Sequence, residues 1–232
     1  MWKALFTPII FKVFLFLFFS AAVVPRFHEY KYYYLIDVLG FSELQYGLLF
    51  IMTMLTMLGI VVLFYQLLKH FSYKQAVMIG LTISFVTTFF DLLLYLRFFE
   101  YIGVSKYIFI LFTNIFEDFI SMRYIIIATT VVCARVTPNY IEASIFALLI
   151  GISNLGFGVC ASIHGNFWAN VLNINNESME NMHLAMAVKL AFSLVPYIMV
   201  VWIPNKDEIE GDLHLRELNR KESSEEKLID DY

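Results

Sequence analysis

Cysteine, proline and charge are all scarce in this chain: 232 residues hold 2 Cys, 5 Pro and 16% charged side chains. Cys133 and Cys160 both fall inside apolar runs and show no metal-ligand or redox spacing. They read as packing residues, which excludes a disulfide framework and a zinc ribbon. No basic face or aromatic-plus-Arg platform occurs, so nucleic acid is not an expected partner. Catalytic signatures are missing as well. His28-Glu29 has no second His at the spacing of a zinc site, and neither a Gly-x-Ser-x-Gly elbow nor a phosphate-cradling glycine loop is found. No enzyme, no metal and no resident cofactor is expected.

What is abundant is apolar surface. Sixty per cent of residues are hydrophobic, with 24 Phe and 14 Tyr and a mean hydropathy of +0.71. A soluble domain of this length has nowhere to bury that much, so the lipid bilayer is the expected surrounding. Residues 1–203 hold 11 Lys+Arg and 10 Asp+Glu, whereas the segment from Pro204 holds 5 and 10. The body is therefore near neutral and the acidic balance belongs to the tail. That composition predicts a solvated, largely disordered cytosolic tail over 204–232.

Six apolar spans are expected, over about 5–24, 44–68, 75–96, 107–133, 141–171 and 182–203. Each is long enough to cross a hydrocarbon core of roughly 30 Å. The fold class is thus an all-α membrane protein, a six-transmembrane-helix bundle in an integral, multi-pass setting. The first span is too long for a signal-peptide core. Pro25 interrupts it, and Arg26–Val38 resumes with helical potential. The fifth span, about 30 residues long, must tilt or protrude. Short connecting segments carry equal numbers of Lys and Arg on the two sides, so only the tail tips both termini inward. The sequon Asn176-Glu177-Ser178 then falls outside, making Asn176 a glycosylation candidate.

An ionisable residue inside a membrane costs a few kcal/mol, so it usually faces a cavity or a partner. The fourth span is the richest case. Asn114, Glu117, Asp118 and Ser121 recur at i, i+3, i+4 and i+7, which puts them on one helix face. Two carboxylates on adjacent turns suit a proton-coupled carrier or a cation-binding wall, or a hydrated outer third of the helix. Arg123 lies opposite that stripe. It either pairs with a carboxylate on another helix, Asp91 being a candidate, or reaches a central cleft where its planar fork would match an anion. Lys12 and Lys189 read as snorkelling side chains, and His164 as a hydrogen-bonded packing group.

The fifth span carries a file of small residues. Ala147, Gly151, Asn154, Gly158, Ala161 and Gly165 follow one another at alternating steps of four and three. That spacing defines the seam of a tightly packed helix pair. Small residues there let two backbones approach closely where no hydrophobic force drives helices together. Asn154 is the polar member and a candidate for the solute site.

The same stretch carries a resemblance. Ala134-Arg135, Pro138, Glu142-Ala143, Phe146-Ala147-Leu148-Leu149 and Ser153-Asn154-Leu155-Gly156 are similar to the signature of the folate–biopterin transporter family, a branch of the major facilitator superfamily. Looser matches include Tyr34 with Leu39-Gly40-Phe41-Ser42, and Leu58-Gly59 with Tyr65, Lys69, Tyr73 and Lys74. Tyr140 departs from the Gly of the family's Pro-x-Gly-x-Glu turn, while Asn139 tolerates a left-handed conformation. The matches cover residues 5–205 and correspond to the C-terminal six-span half of a twelve-span carrier. The resemblance implies a secondary-active transporter moving a small pteridine-like or other organic anion such as folate or biopterin. Because such carriers hold solute between two six-helix repeats, it also implies a complementary six-span half or a second copy. A non-transporting membrane scaffold subunit or degenerate half-carrier is the competing reading.

Overall fold

The computed structural model describes residues 7–68, 71–114, 130–132, 134, 137, 142–175, 178–205 and 207–211, with the side chains of 56–68 and 142 excepted. Two of its long helices start at the same local device. Ser42 and Ser72 each precede a helix and stand three residues before a Gln. The Gln45 backbone N–H donates to the Ser42 hydroxyl (3.2 Å), and the Ser42 N–H donates to the Gln45 side-chain oxygen (2.9 Å). Ser72 and Gln75 repeat the pair at 3.3 and 2.9 Å. Each box satisfies two orphan amides where helix meets loop, a need that is sharper next to lipid.

The chain runs α1 Pro8–Ala22, α2 His28–Tyr33, a π turn Tyr34–Val38, α3 Glu43–Leu68, α4 Tyr73–Tyr95, α5 Phe98–Tyr101 and α6 Lys106–Asn114. It continues with α7 Glu142–Asn154, a second π turn Leu155–Cys160, α8 Ala161–Val171, α9 Met182–Phe192 and α10 Val195–Met199. Among the described residues there is no named strand, only a bridge between Asn175 and Ser178. Among the described residues, three stretches are long and apolar enough to cross a membrane: Tyr73–Tyr95, Ala143–Val171 and Met182–Gly211. Pro8–Ala22 and Glu43–Leu55 are shorter apolar helices. Most of the expected fourth span lies outside the described residues.

Two cores mark the two ends of the bundle. One joins Ile10, Phe16, Val77, Ile145, Leu149 and Ile203 where the described chain starts and stops. Ile209 belongs to it and is 2% exposed, so the first residues after the Pro204 boundary form a helical segment docked on the bundle. The other joins Phe27, Leu35, Leu94, Phe99, Ala169 and Met182 near the loops 23–42, 96–105 and 172–181. The backbone positions with positive φ (Gly40, Arg97, Gly103 and Asn173) all lie in these three loops. Lys106 ties two of them together by donating to the Leu39 carbonyl, with its ammonium 5.3 Å from the Phe41 ring and 5.5 Å from the Tyr107 ring.

Outside these cores, large apolar side chains face outward. Leu44, Phe50, Leu55, Ile163, Phe167 and Ile198 are all exposed, a distribution that a bilayer accommodates and water does not. Buried hydroxyls need no distant partner. Thr53, Thr88 and Thr113 donate to the carbonyls of Leu49, Ser84 and Ile110 on their own helices.

The closest backbone approach is between α1, with the segment that follows it, and the helix pair α7–α8. Along α7 the buried positions are Ile145, Leu149 and then Gly156, steps of four and seven. The next are Ala161, Gly165 and Ala169, after a step of five. The π turn inserts that one additional residue. A Cβ on Gly156 would lie 2.8 Å from the Phe18 carbonyl oxygen and 3.2 Å from Ala21 Cβ. On Gly165 it would lie 1.9 Å from the Arg26 carbonyl oxygen. The Arg26 N–H donates to the Ala161 carbonyl at 2.9 Å, and its guanidinium sits 4.3 Å from the Phe157 ring centre. The chain break at Pro25 is therefore clamped backbone to backbone against the π turn and α8.

Candidate functional site

Among the described residues, a buried ion pair lies where α2 meets α4. Asp91, on the last turns of α4, has a fully buried side chain (1% exposed). The Lys31 ammonium reaches it from α2 and donates to both carboxylate oxygens, at 3.1 and 3.2 Å. A buried carboxylate is tolerated only with such compensation, and a two-oxygen contact fixes both helices in register. Sequence reasoning offered Asp91 as a partner for Arg123, which lies outside the described residues, and did not pair it with Lys31. The Lys31 contact was hidden because Pro25 breaks the first helix, and only the fold brings its continuation onto α4.

One turn beyond the ion pair, Tyr34 and Tyr95 pack with ring centres 4.5 Å apart and tilted by 56°. They floor a half-open cavity of about 360 Å³ whose other walls include Arg97, Ser178, Met182 and His183. Burial pushes the Tyr34 phenol up, and the neighbouring Arg97 guanidinium opposes that shift. Arg97 has φ of 54° and its guanidinium stands 3.7 Å from the Glu100 carboxylate. A second, more open groove of about 400 Å³ lies between α3 and α6 and is walled by Leu48, Leu49, Met52, Tyr107, Ile108 and Leu111.

The residues singled out in the sequence are distributed as follows. Asn114 is half-buried at the end of α6, directly after the fully buried Thr113. Glu117, Asp118, Ser121 and Arg123 lie outside the described residues, as does Asn176. Ala147, Gly151, Asn154 and Gly158 are exposed, and among the described residues a Cβ added to Gly151 or Gly158 would meet nothing within 4 Å. Ala161 and Gly165 are buried against the segment after α1. The six-residue file is thus divided between two faces, because a strict four–three spacing does not include the residue inserted by the π turn. Gly156 was not recognised as a packing position for the same reason. His164 is a packing group, accepting from the Trp168 indole N–H at 3.0 Å with its ring edge-on to Phe192. Among the described residues no group of three His, Cys, Asp or Glu could hold a metal ion.

These features define an integral membrane protein built of apolar helices, with a compensated Lys31–Asp91 ion pair inside it. The chain belongs to the BT1 family, whose sequence model matches residues 1–223. Probable folate-biopterin transporter 4 of Arabidopsis thaliana is 26% identical over 88% of this chain and 41% of its own length. Probable folate-biopterin transporter 6 of the same plant is 24% identical over 96% of the chain and 44% of its own length. Folate transporter 2 of Plasmodium falciparum (isolate 3D7) is 22% identical over 96% of the chain and 47% of its own length. The chain spans less than half the length of these relatives. No solved structure matches it.

Proposed function

We propose that this chain is one six-span half of a secondary-active carrier that moves a small pteridine-like or other organic anion. The family match over residues 1–223 carries the reading. Relatives named as folate-biopterin and folate transporters supply the solute class. The solute lies between this half and a complementary six-span half or second copy, which covers the exposed face of Ala147, Gly151, Asn154 and Gly158. Asn114, Glu117, Asp118 and Ser121 form the polar wall. The paired carboxylates exchange a proton and couple uptake to pH, and Arg123 compensates the anion's charge. Both termini are cytosolic, and Asn176 accepts glycan on the other side.

The test is uptake of labelled folate or biopterin by cells expressing the protein in its membrane assembly. Glu117→Gln, Asp118→Asn and Arg123→Ala variants that reach the membrane normally should lose uptake, and the two carboxylate variants should also lose its pH dependence. Full uptake with unchanged pH dependence in both carboxylate variants removes the polar wall. The second reading, a non-transporting scaffold subunit, gains if the intact assembly moves no pteridine.

A further inference from the structure

We propose that the groove between α3 and α6 binds an anionic phospholipid, with its phosphate at Lys106 and an acyl chain between the two helices. The inference stands on the membrane setting of these helices and not on the carrier reading above. The walls follow from the helical repeat. Gln45, Leu48, Leu49 and Met52 recur at i, i+3, i+4 and i+7 along one face of α3, and Ile108 and Leu111, one turn apart on α6, stand across from them. Leu49 is buried at the base, whereas Leu48, Met52 and Ile108 are half or more exposed. The groove holds about 400 Å³. From Gln45 to Met52 it runs about 10 Å at 1.5 Å per residue, which admits the first part of an acyl chain.

Only one end of the groove is polar. Helices α3 and α6 both leave the loops beside the second core, at 23–42 and 96–105, so they run in the same direction. Gln45 and Tyr107 therefore mark the loop end, and Met52 and Leu111 mark the deeper end. The Lys106 ammonium stands at the loop end, 5.5 Å from the centre of the Tyr107 ring that lines the groove. Its hydrogen bond to the Leu39 carbonyl holds it there.

An ammonium has three N–H donors. Among the described residues no acceptor other than the Leu39 carbonyl takes one, and no carboxylate pairs with Lys106. Glu43, in the first turn of α3, falls on the side of that helix opposite the groove by the helical repeat. A fixed cation with spare donors at the head of an apolar trough matches an amphiphile with an anionic head. A choline head would set a second cation beside Lys106, and a detached phosphate would leave the trough unfilled.

The experiment is native mass spectrometry of the full chain released from nanodiscs of equal phosphatidylglycerol and phosphatidylcholine. The unmodified protein should retain one phosphatidylglycerol about tenfold over phosphatidylcholine, the scale of one charged contact. Lys106→Gln should lose that preference, and Lys106→Arg, which keeps the charge and the donors, should restore it. Met52→Trp fills the trough without touching the charge and should abolish selective retention; it decides the matter if either lysine variant folds poorly. Equal retention of the two lipids by the unmodified protein overturns the site. So does a preference that survives either Lys106→Gln or Met52→Trp. Should Met52→Trp also stop solute uptake while retention is unchanged, the groove belongs to the contact with the complementary half and not to lipid.

Discussion

The two halves of the helix that runs from Glu142 to Val171 carry similar small residues and meet opposite surroundings. After the π turn, Ala161 and Gly165 lie against the backbone of Arg26 so closely that no side chain fits between. Before it, Gly151 has open space, and Gly158 within the turn has the same. Composition does not separate the two halves; register does. A glycine at a close crossing is required by contact, whereas a glycine on an open face meets none of the described residues. In a bilayer the distinction is energetically direct, because helix association there depends on how closely atoms pack.

The comparison breaks first at Gly165. A Gly165→Leu substitution forces a Cβ to within 1.9 Å of the Arg26 carbonyl oxygen, a contact that only backbone displacement can relieve. Loss of more than about 3 kcal/mol is expected, read as absence of monodisperse protein in detergent size-exclusion profiles. Normal yield and melting temperature would remove the clamp. Next comes Asp91→Asn, which takes the carboxylate from Lys31 and should cost about 3 kcal/mol. The double change Lys31→Met with Asp91→Asn should recover part of the lost thermal stability, and a double variant no better than the single would mean that the pair does not hold α2 on α4.

Gly156→Ala is the graded test of the same crossing. One methyl group 2.8 Å from the Phe18 carbonyl should lower stability by about 1–2 kcal/mol, visible as a shift in melting temperature. At the small end, Gly151→Leu should change the stability of this chain by less than about 0.5 kcal/mol, because among the described residues nothing lies within 4 Å of the added Cβ. A melting temperature shifted as far as that of Gly156→Ala would show that the open face is not open.

Much of this was legible before the fold. Apolar run lengths and the scarcity of charge gave helices in a bilayer. The residues of the fifth span pointed to the family and to close packing through small side chains. What could not be read was the phase of that packing. A π turn has no sequence signature, and one inserted residue rotates every later position by about 100° relative to the earlier ones. The Lys31–Asp91 contact was equally silent. It joins positions 60 residues apart, and no local sequence pattern reports a contact of that range. The docking of Ile209 was masked by the acidic composition around it.

The account stands or falls on whether the open face receives the other half of a carrier. Gly158→Leu isolates that claim, since among the described residues nothing lies within 4 Å of the added Cβ. The measurement is initial-rate uptake of labelled folate or biopterin, normalised to folded protein at the membrane, for the unmodified assembly and the Gly158→Leu variant side by side. The account predicts wild-type amounts of folded protein with uptake reduced at least about tenfold, because leucine holds the two halves apart. Uptake retained at the wild-type rate, with the protein equally folded, would contradict it.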